Sequence, residues 1–126
     1  MAAPKIGSIA WIDLTVPDAE NVRNFYQSVV GFNFAATNMG DYEDYTLTTP
    51  DEGKAIAGVC HARGMNASLP PQWLPYFMVA SVTDSVMAVT ASGGEVVSGP
   101  MEAGGGSSFC VVKDPAGACC ALMGPT

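Results

Sequence analysis

The sequence predicts an α+β domain made of two βαβββ modules, a curled mixed sheet (a half-barrel) around a central cleft with the helices outside. Three observations predict it. The run Trp11-Ile12-Asp13-Leu14-Thr15-Val16-Pro17-Asp18 leads through a helical stretch to Gly31-Phe32-Asn33-Phe34, and Leu74-Pro75-Tyr76-Phe77-Met78-Val79-Ala80-Ser81 leads through another to Gly94-Glu95-Val96-Val97. Val16 to Val79 and Gly31 to Gly94 are both shifts of 63 residues. The later turns, Thr49-Pro50-Asp51-Glu52-Gly53 and Asp114-Pro115-Ala116-Gly117, nearly keep that register, since Gly53 to Gly117 is a shift of 64. A period this long, present twice, is a duplicated supersecondary unit and not a solenoid. Module one covers about 7–63, a linker 64–72, and module two about 73–124.

Ile9 to Val16 alternates and is rich in branched residues, the pattern of a strand. Pro17-Asp18 stops it, and Asp18 is a good N-cap with Glu20 adding negative charge to the first turn. Val22, Phe25, Tyr26, Val29 and Val30 follow at helical spacing on one face. Gly31 ends the helix. Strands are expected at Phe32 to Ala35, Tyr42 to Thr48 and Lys54 to His61, the last two joined by the turn at Pro50-Asp51-Glu52-Gly53. Pro70-Pro71 stiffens the linker toward an extended form. Module two opens with a strand from Trp73 to Val79. Ser81 or Thr83 caps a helix with Val82, Val86, Val89 and Thr90 on its buried side, and Gly93-Gly94 closes it. Glu95 to Ser98 is a strand, Met101 to Ser107 a loop, and Phe109 to Lys113 with Ala118 to Met123 the final hairpin.

Composition narrows the function. A chain of 126 residues, 48% hydrophobic, can bury a real core as one domain. Twelve acids against five bases leave a net charge of −7. Lys5, Arg23, Lys54, Arg63 and Lys113 are spread along the chain and assemble no basic patch, which excludes nucleic acid and an anionic membrane as partners. No apolar run approaches the roughly 20 residues of a membrane span. The start, Met1-Ala2-Ala3-Pro4-Lys5, lacks the apolar stretch of a signal peptide, so a cytoplasmic location is expected. Cys60, Cys110, Cys119 and Cys120 show neither zinc-knuckle nor Cys-x-x-Cys spacing and read as buried, reduced thiols.

The ordered set of features resembles a known family. The paired units, the segment from Asp18 through Phe25-Tyr26 to Gly31-Phe32, and the closing turn at Asp114 to Gly117 are similar to the vicinal oxygen chelate superfamily. That superfamily includes glyoxalase I, extradiol dioxygenases and the bleomycin- and fosfomycin-resistance proteins. The resemblance covers almost the whole chain. Cys60-His61-Ala62-Arg63-Gly64 and Leu69-Pro70-Pro71-Gln72-Trp73 are similar to a glyoxalase-like subgroup of unassigned activity. The resemblance implies a divalent metal held in the trough by His, Glu or Gln from the first and last strands of each module. Carried over, those positions are Trp11, Ala57, Leu74 and Ala121, and none offers a lone pair to a metal. A slip of one residue offers Ile12, Gly58, Pro75 and Leu122, or Ala10, Ile56, Trp73 and Cys120, with one thiol among them. The expectation is a member with neither metal nor cofactor, and glyoxalase I activity is not expected, because the fold hosts many functions.

Strand alternation gives the expected lining of the trough. With Trp11 inward, Asp13 and Thr15 are inward too. Leu74, Tyr76 and Met78 line it from module two. From Ala57 the parity adds Val59, His61 and Arg63, and from Ala121 it adds Cys119 and Met123. Apolar walls with sparse polar groups suit a small organic molecule, and Trp11 either fills the space left by the alanines or stacks on a flat ligand. The expected function is therefore binding of a small, aromatic or apolar molecule by Trp11, Asp13, Val59, His61, Arg63, Leu74, Tyr76, Met78, Cys119 and Ala121. A rival reading is a metal-independent lyase or isomerase with His61 and Asp13 as acid–base groups. Asp13 needs a partner if buried, and Arg63 is the expected one, as a structural bridge or a ligand anchor. A third reading is a structural module without ligand. Family members often dimerise, so the resemblance implies a homodimer. Gly104-Gly105-Gly106 does not open a helix and reads as a hairpin loop or lid, not a phosphate cradle. Asp41-Tyr42-Glu43-Asp44-Tyr45 reads as a solvated strand edge.

Overall fold

The computed structural model describes residues 5–126, apart from the side chain of residue 65. Residues 1–4, on which most of the leaderless start was read, lie outside the described residues. The order of elements is β1 (Ile9–Val16), α1 (Ala19–Val30), β2 (Asn33–Asn38), β3 (Glu43–Thr48), β4 (Ala55–His61), a 3-10 turn (Gly64–Asn66), β5 (Trp73–Met78), α2 (Val82–Ala91), β6 (Glu95–Gly104), β7 (Ser107–Lys113) and β8 (Cys119–Pro125). The chain packs as two compact units, Ile12–Trp73 and Leu74–Thr126, the second including the residues up to Trp11. Each unit follows the expected βαβββ order. Among the described residues no helix is long and apolar enough to cross a membrane.

The amino-terminal unit has the strand order β2-β3-β4-β1. β1 and β4 are parallel, as a crossover through α1 allows, while β2–β3 and β3–β4 are antiparallel. Asp18 caps α1 by accepting from the Asn21 N–H at 3.4 Å, and Gly31 leaves it in the left-handed conformation at φ 93°. The helix packs Ala19, Val22 and Tyr26 on the sheet, against Leu14, Val16, Tyr45, Leu47, Ala57 and Val59. The apolar face expected of α1 is wider than the strip it buries. Phe25, Val29 and Val30 remain 56%, 64% and 53% exposed, because they lie on the flank or at the end of the helix. Trp73 closes the unit by donating from Nε1 to the Tyr26 hydroxyl at 3.1 Å.

The carboxy-terminal unit has the order β5-β8-β7-β6, with β5 and β8 parallel and the rest antiparallel. The residues before Ile12 belong here, since Gly7 N–H donates to Met78 O and Met78 N–H to Ser8 O, at 2.8 and 2.9 Å. Ser81 is the cap of α2, accepting from Asp84 N–H at 3.2 Å. Val82, Val86 and Val89 pack on Cys110, Val112, Val96, Cys120 and Leu122. Thr90, expected on that side, is exposed. The stretch expected as a loop after Ser98 is strand instead. β6 runs to Gly104 through register shifts at Ser98, Met101 and Gly104, which accommodate Gly99-Pro100, and the turn shrinks to Gly105-Gly106.

Gly94 marks where the end of α2 meets β7. A Cβ there would stand 2.6 Å from Lys113 O and 3.1 Å from a Val89 methyl. We expect Gly94→Ala to cost about 1–3 kcal/mol through overpacking against backbone. Thermal unfolding followed by circular dichroism should show a Tm lower by roughly 4 °C per kcal/mol. An unchanged Tm would contradict the close approach.

Candidate functional site

Every sheet has a face that its helix covers and a face that it leaves uncovered, and side-chain parity decides which residue serves which. In the amino-terminal unit the register pairs Asp13 with Gly58, Leu14 with Val59, Thr15 with Cys60 and Val16 with His61. Leu14 and Val16 face α1. Val59, fully buried, and His61 therefore stand on the helix side, and so does Ala57. This corrects the alternation expected for β4. Val59 belongs to the core under α1 and cannot share a lining with Asp13. Asp13 and His61 stand on opposite faces, so the structure does not bring together the acid–base pair of the rival reading.

The face away from α1 is polar. Asp13, Thr15 and Cys60 share it with Asp44 and Thr46 of β3. Burial, reinforced first by the Asp13 carboxylate and then by Asp44, pushes the Cys60 thiol far above the usual thiol range. The Asp44 carboxylate also accepts from the His61 backbone N–H at 2.8 Å. Arg63, expected opposite Asp13, instead meets Asp41 at 3.1 Å and lies 4.4 Å over the Tyr42 ring. His61 Nδ1 lies 2.7 Å from the Glu43 carbonyl and 3.6 Å from Asp44 Oδ1, with the Tyr42 ring at 5.4 Å.

In the carboxy-terminal unit, register sets two rows on the face away from α2. One is Tyr76, Ala121, Val111 and Ser98, and the other is Met78, Met123, Phe109 and Met101. Leu74 and Cys119 share this face by alternation. Leu74 and Ala121 are buried, at 1% and 0% exposure, while Tyr76, Met78, Phe109, Met123 and Cys119 are partly accessible. The Tyr76 and Phe109 rings lie 6.3 Å apart. At the end of the methionine row is a depression of about 300 Å³, lined by Ala10, Met78, Gly105, Gly106, Ser107, Met123, Gly124 and Pro125. Part of its rim is bare backbone, because Gly105 and Gly106 carry no side chain, and both adopt positive φ. Thr126 N–H donates to Gly106 O at 3.0 Å and holds that rim against the end of β8.

Trp11, Ala57, Leu74 and Ala121, the positions that the resemblance assigns to metal ligands, carry no side-chain atom that commonly binds a divalent ion. Taking the other parity of β4 substitutes Gly58 or Cys60. Among the described residues no group of three or more His, Cys, Asp or Glu is placed to hold a metal ion. The side chains therefore do not fit a divalent ion. The depression beside Met123 and the glycine rim were only partly legible from sequence, through the inward parity of Met78 and the Gly104-Gly105-Gly106 run.

Residues 8–119 match the model of the Glyoxalase/Bleomycin resistance protein/Dioxygenase superfamily. The chain belongs to that superfamily. Among curated relatives, the anthracycline biosynthesis protein DnrV of Streptomyces peucetius is 28% identical over 128 aligned residues, which cover 92% of this chain and 46% of DnrV. DauV of Streptomyces sp. (strain C5), also an anthracycline biosynthesis protein, is 27% identical with the same coverage. The chain thus spans about half the length of these relatives. Among solved structures, a methylmalonyl-CoA epimerase in complex with methylmalonyl-CoA aligns with TM-score 0.59 at 17% identity, covering 97% of this chain and 96% of that one. The epimerase from Mycobacterium tuberculosis gives 0.58 at 14% identity, covering 100% and 93%. At such identities the likeness is one of fold.

The thiols generate a pH dependence. Burial raises Cys110 and Cys120 as well as Cys60. A thiol that holds its proton more tightly when folded stabilises the fold fully below its unfolded pKa of about 8.5, and loses that contribution as pH rises toward the folded value. Urea unfolding should therefore show a midpoint that falls between pH 8 and pH 10, and Cys60→Ser should fall less steeply. Equal slopes for the two chains would contradict the environment described for Cys60.

Proposed function

We propose that the protein binds a small, flat, largely apolar organic molecule on the face of the carboxy-terminal unit away from α2, without coordinating it through a metal. The observation that carries this reading is the depression of about 300 Å³ walled by Met78 and Met123. Its volume is at the lower end of the range for small-molecule sites, roughly 300–1,000 Å³. Thioether side chains are polarizable and adapt to flat surfaces, and the rings of Tyr76 and Phe109 extend the same face. The positive-φ glycines let a ligand approach the backbone closely at the rim. The two curated relatives are named for anthracycline biosynthesis, and an anthracycline carries a flat polycyclic aromatic core. We take such a core, or a precursor of similar shape, as the ligand class.

A second copy of the chain belongs to the same reading. The curated relatives are about twice as long, and Phe25 and Val29 leave part of α1 apolar and exposed. We propose a homodimer in which one copy stands where those relatives have their other half. Light scattering after size exclusion should give twice the 13.0 kDa chain mass.

Binding is tested by titrating a hydroxyanthraquinone, which has the flat core and no amine, while following tryptophan fluorescence and methionine methyl NMR signals. Saturable binding with methyl shifts at Met78 and Met123 is expected. Met123→Ala should weaken it about tenfold, equivalent to about 1.4 kcal/mol of lost contact. A flat response across a panel of polycyclic aromatics, or binding indifferent to Met78→Ala and Met123→Ala, would refute the proposal.

A further inference from the structure

The amino-terminal unit has a recess of its own, about 420 Å³ in volume, on the side of the sheet that carries α1. It opens past the first turn of the helix. Glu20 reaches it from α1, Asp41 and Tyr42 from the β2–β3 turn, Glu43 and Tyr45 from β3, and His61 from the end of β4. Its chemistry is that of an acceptor. The three carboxylates accept and do not donate when ionised. His61 turns Nδ1 toward the Glu43 carbonyl 2.7 Å away, which leaves the Nε2 edge of the ring for the recess. The faces of Tyr42 and Tyr45 carry the negative end of the aromatic quadrupole. The donors of the lining are the neutral Asn38 amide and the two tyrosine hydroxyls. Burial raises the Tyr45 phenol further, against the opposing pull of Arg23.

These rings already hold cations. The Arg23 guanidinium lies 4.5 Å from the Tyr45 ring centre and 4.0 Å from that of Phe34. Arg63 lies 4.4 Å over Tyr42 while it pairs with Asp41 at 3.1 Å. The two arginines differ in tenure. Arg23 is half-buried, with its guanidinium over two rings. The Arg63–Asp41 pair is open to water, with side chains 48% and 83% accessible, and exposed pairs of this kind hold weakly. Arg63 is not itself part of the lining and reaches Asp41 and Tyr42 from beside the recess.

We propose that this recess binds an organic ammonium, a primary or quaternary amine on an apolar body. The cation sits among Asp41, Glu43 and Tyr42, competing with Arg63 for the Asp41 carboxylate, and the body rests toward Tyr45 and His61. Cation–ring contact adds to the charge-assisted hydrogen bonds, and the net charge of −7 favours the approach of cations. The inference does not rest on the apolar site of the other unit, and either can fail alone.

The test uses benzylamine and benzyltrimethylammonium as probes and benzyl alcohol as the neutral control, each titrated into 15N-labelled protein. Both cations should shift the amides of residues 38–45 and of His61 saturably, and benzyl alcohol should not at the same concentrations. Glu43→Gln should weaken benzylamine binding about tenfold, the usual scale for one charge-assisted contact. Arg63→Ala should tighten it about threefold by freeing the Asp41 carboxylate. Should Glu43→Gln lower the Tm, Asp41→Asn in its exposed turn supplies the same measurement. Equal binding of benzyl alcohol overturns the proposal, as do shifts confined to Met78 and Met123, unchanged affinity in the carboxylate variants, or weaker binding in Arg63→Ala.

Discussion

The pairing of Leu14 with Val59 across the parallel strands β1 and β4 is the constraint on which the chemistry of the amino-terminal unit depends. A strand has a side-chain period of two, so this one match assigns every residue of both strands to a face. It seats Val16, Ala57 and Val59 beneath Val22 and Tyr26 of α1. It places Asp13, Thr15 and Cys60 on the other side. It also sends His61 to the helix side, beyond the reach of the helix, where its ring meets Glu43 and Tyr42. A slip of one residue would push the Asp13 carboxylate into the cluster of Tyr45 and Leu47. An unpaired charge in such a place costs several kcal/mol, more than any single contact the slip could gain.

The two units repeat a plan and not a chemistry. Both run a strand into a capped helix, return through two antiparallel pairings, and close with a parallel match to the first strand. The faces left uncovered by the helices have diverged. One presents carboxylates, hydroxyls and a thiol held protonated by its surroundings. The other presents three methionines, a tyrosine and a phenylalanine at register positions. Backbone approach separates them further. At Gly94 and Gly124 the carboxy-terminal unit brings main chain so close that a methyl group would run into the carbonyl oxygen of Lys113 or of Val79. Such contacts fix the ends of α2 and β8, and with them the depression beside Met123.

Where the sequence was legible, a physical signal was unambiguous. Asp18, Ser81 and Gly31 are strong caps, and the structure uses each as a cap. A repeat spaced at 63 residues predicts two like units, and the chain packs as two units of the same element order. The face of β4 was not legible, because Ile56-Ala57-Gly58-Val59-Cys60 is small or apolar at every position, so alternation carries no information there. The width of the apolar arc on α1 misled for a related reason. Hydrophobicity shows that Phe25 and Val29 could be buried, not that the sheet is broad enough to bury them. β6 was obscured by Gly99-Pro100, which weakens strand propensity while the bulges keep the pairing. The recess at His61 was hidden in a run that looks like a solvated edge. Only the fold shows Glu20 and His61, 41 residues apart, facing the same space.

Loss of donor atoms changes what the fold can use to grip a ligand. At the four positions where the superfamily's metal-dependent members supply ligands, this chain has an indole, an isobutyl group and two methyl groups. Coordination is directional and strong, and it tolerates a loosely shaped pocket because the metal fixes the geometry. Side chains of carbon and sulfur have only contact area and dispersion, which demand close fit over many atoms. A molecule held this way should be broad, flat and matched to the row of Met78, Met123 and Phe109. The recess of the other unit is lined instead by carboxylates and tyrosines. The same duplicated plan therefore carries two differently lined depressions, and residue type at a few register positions separates them.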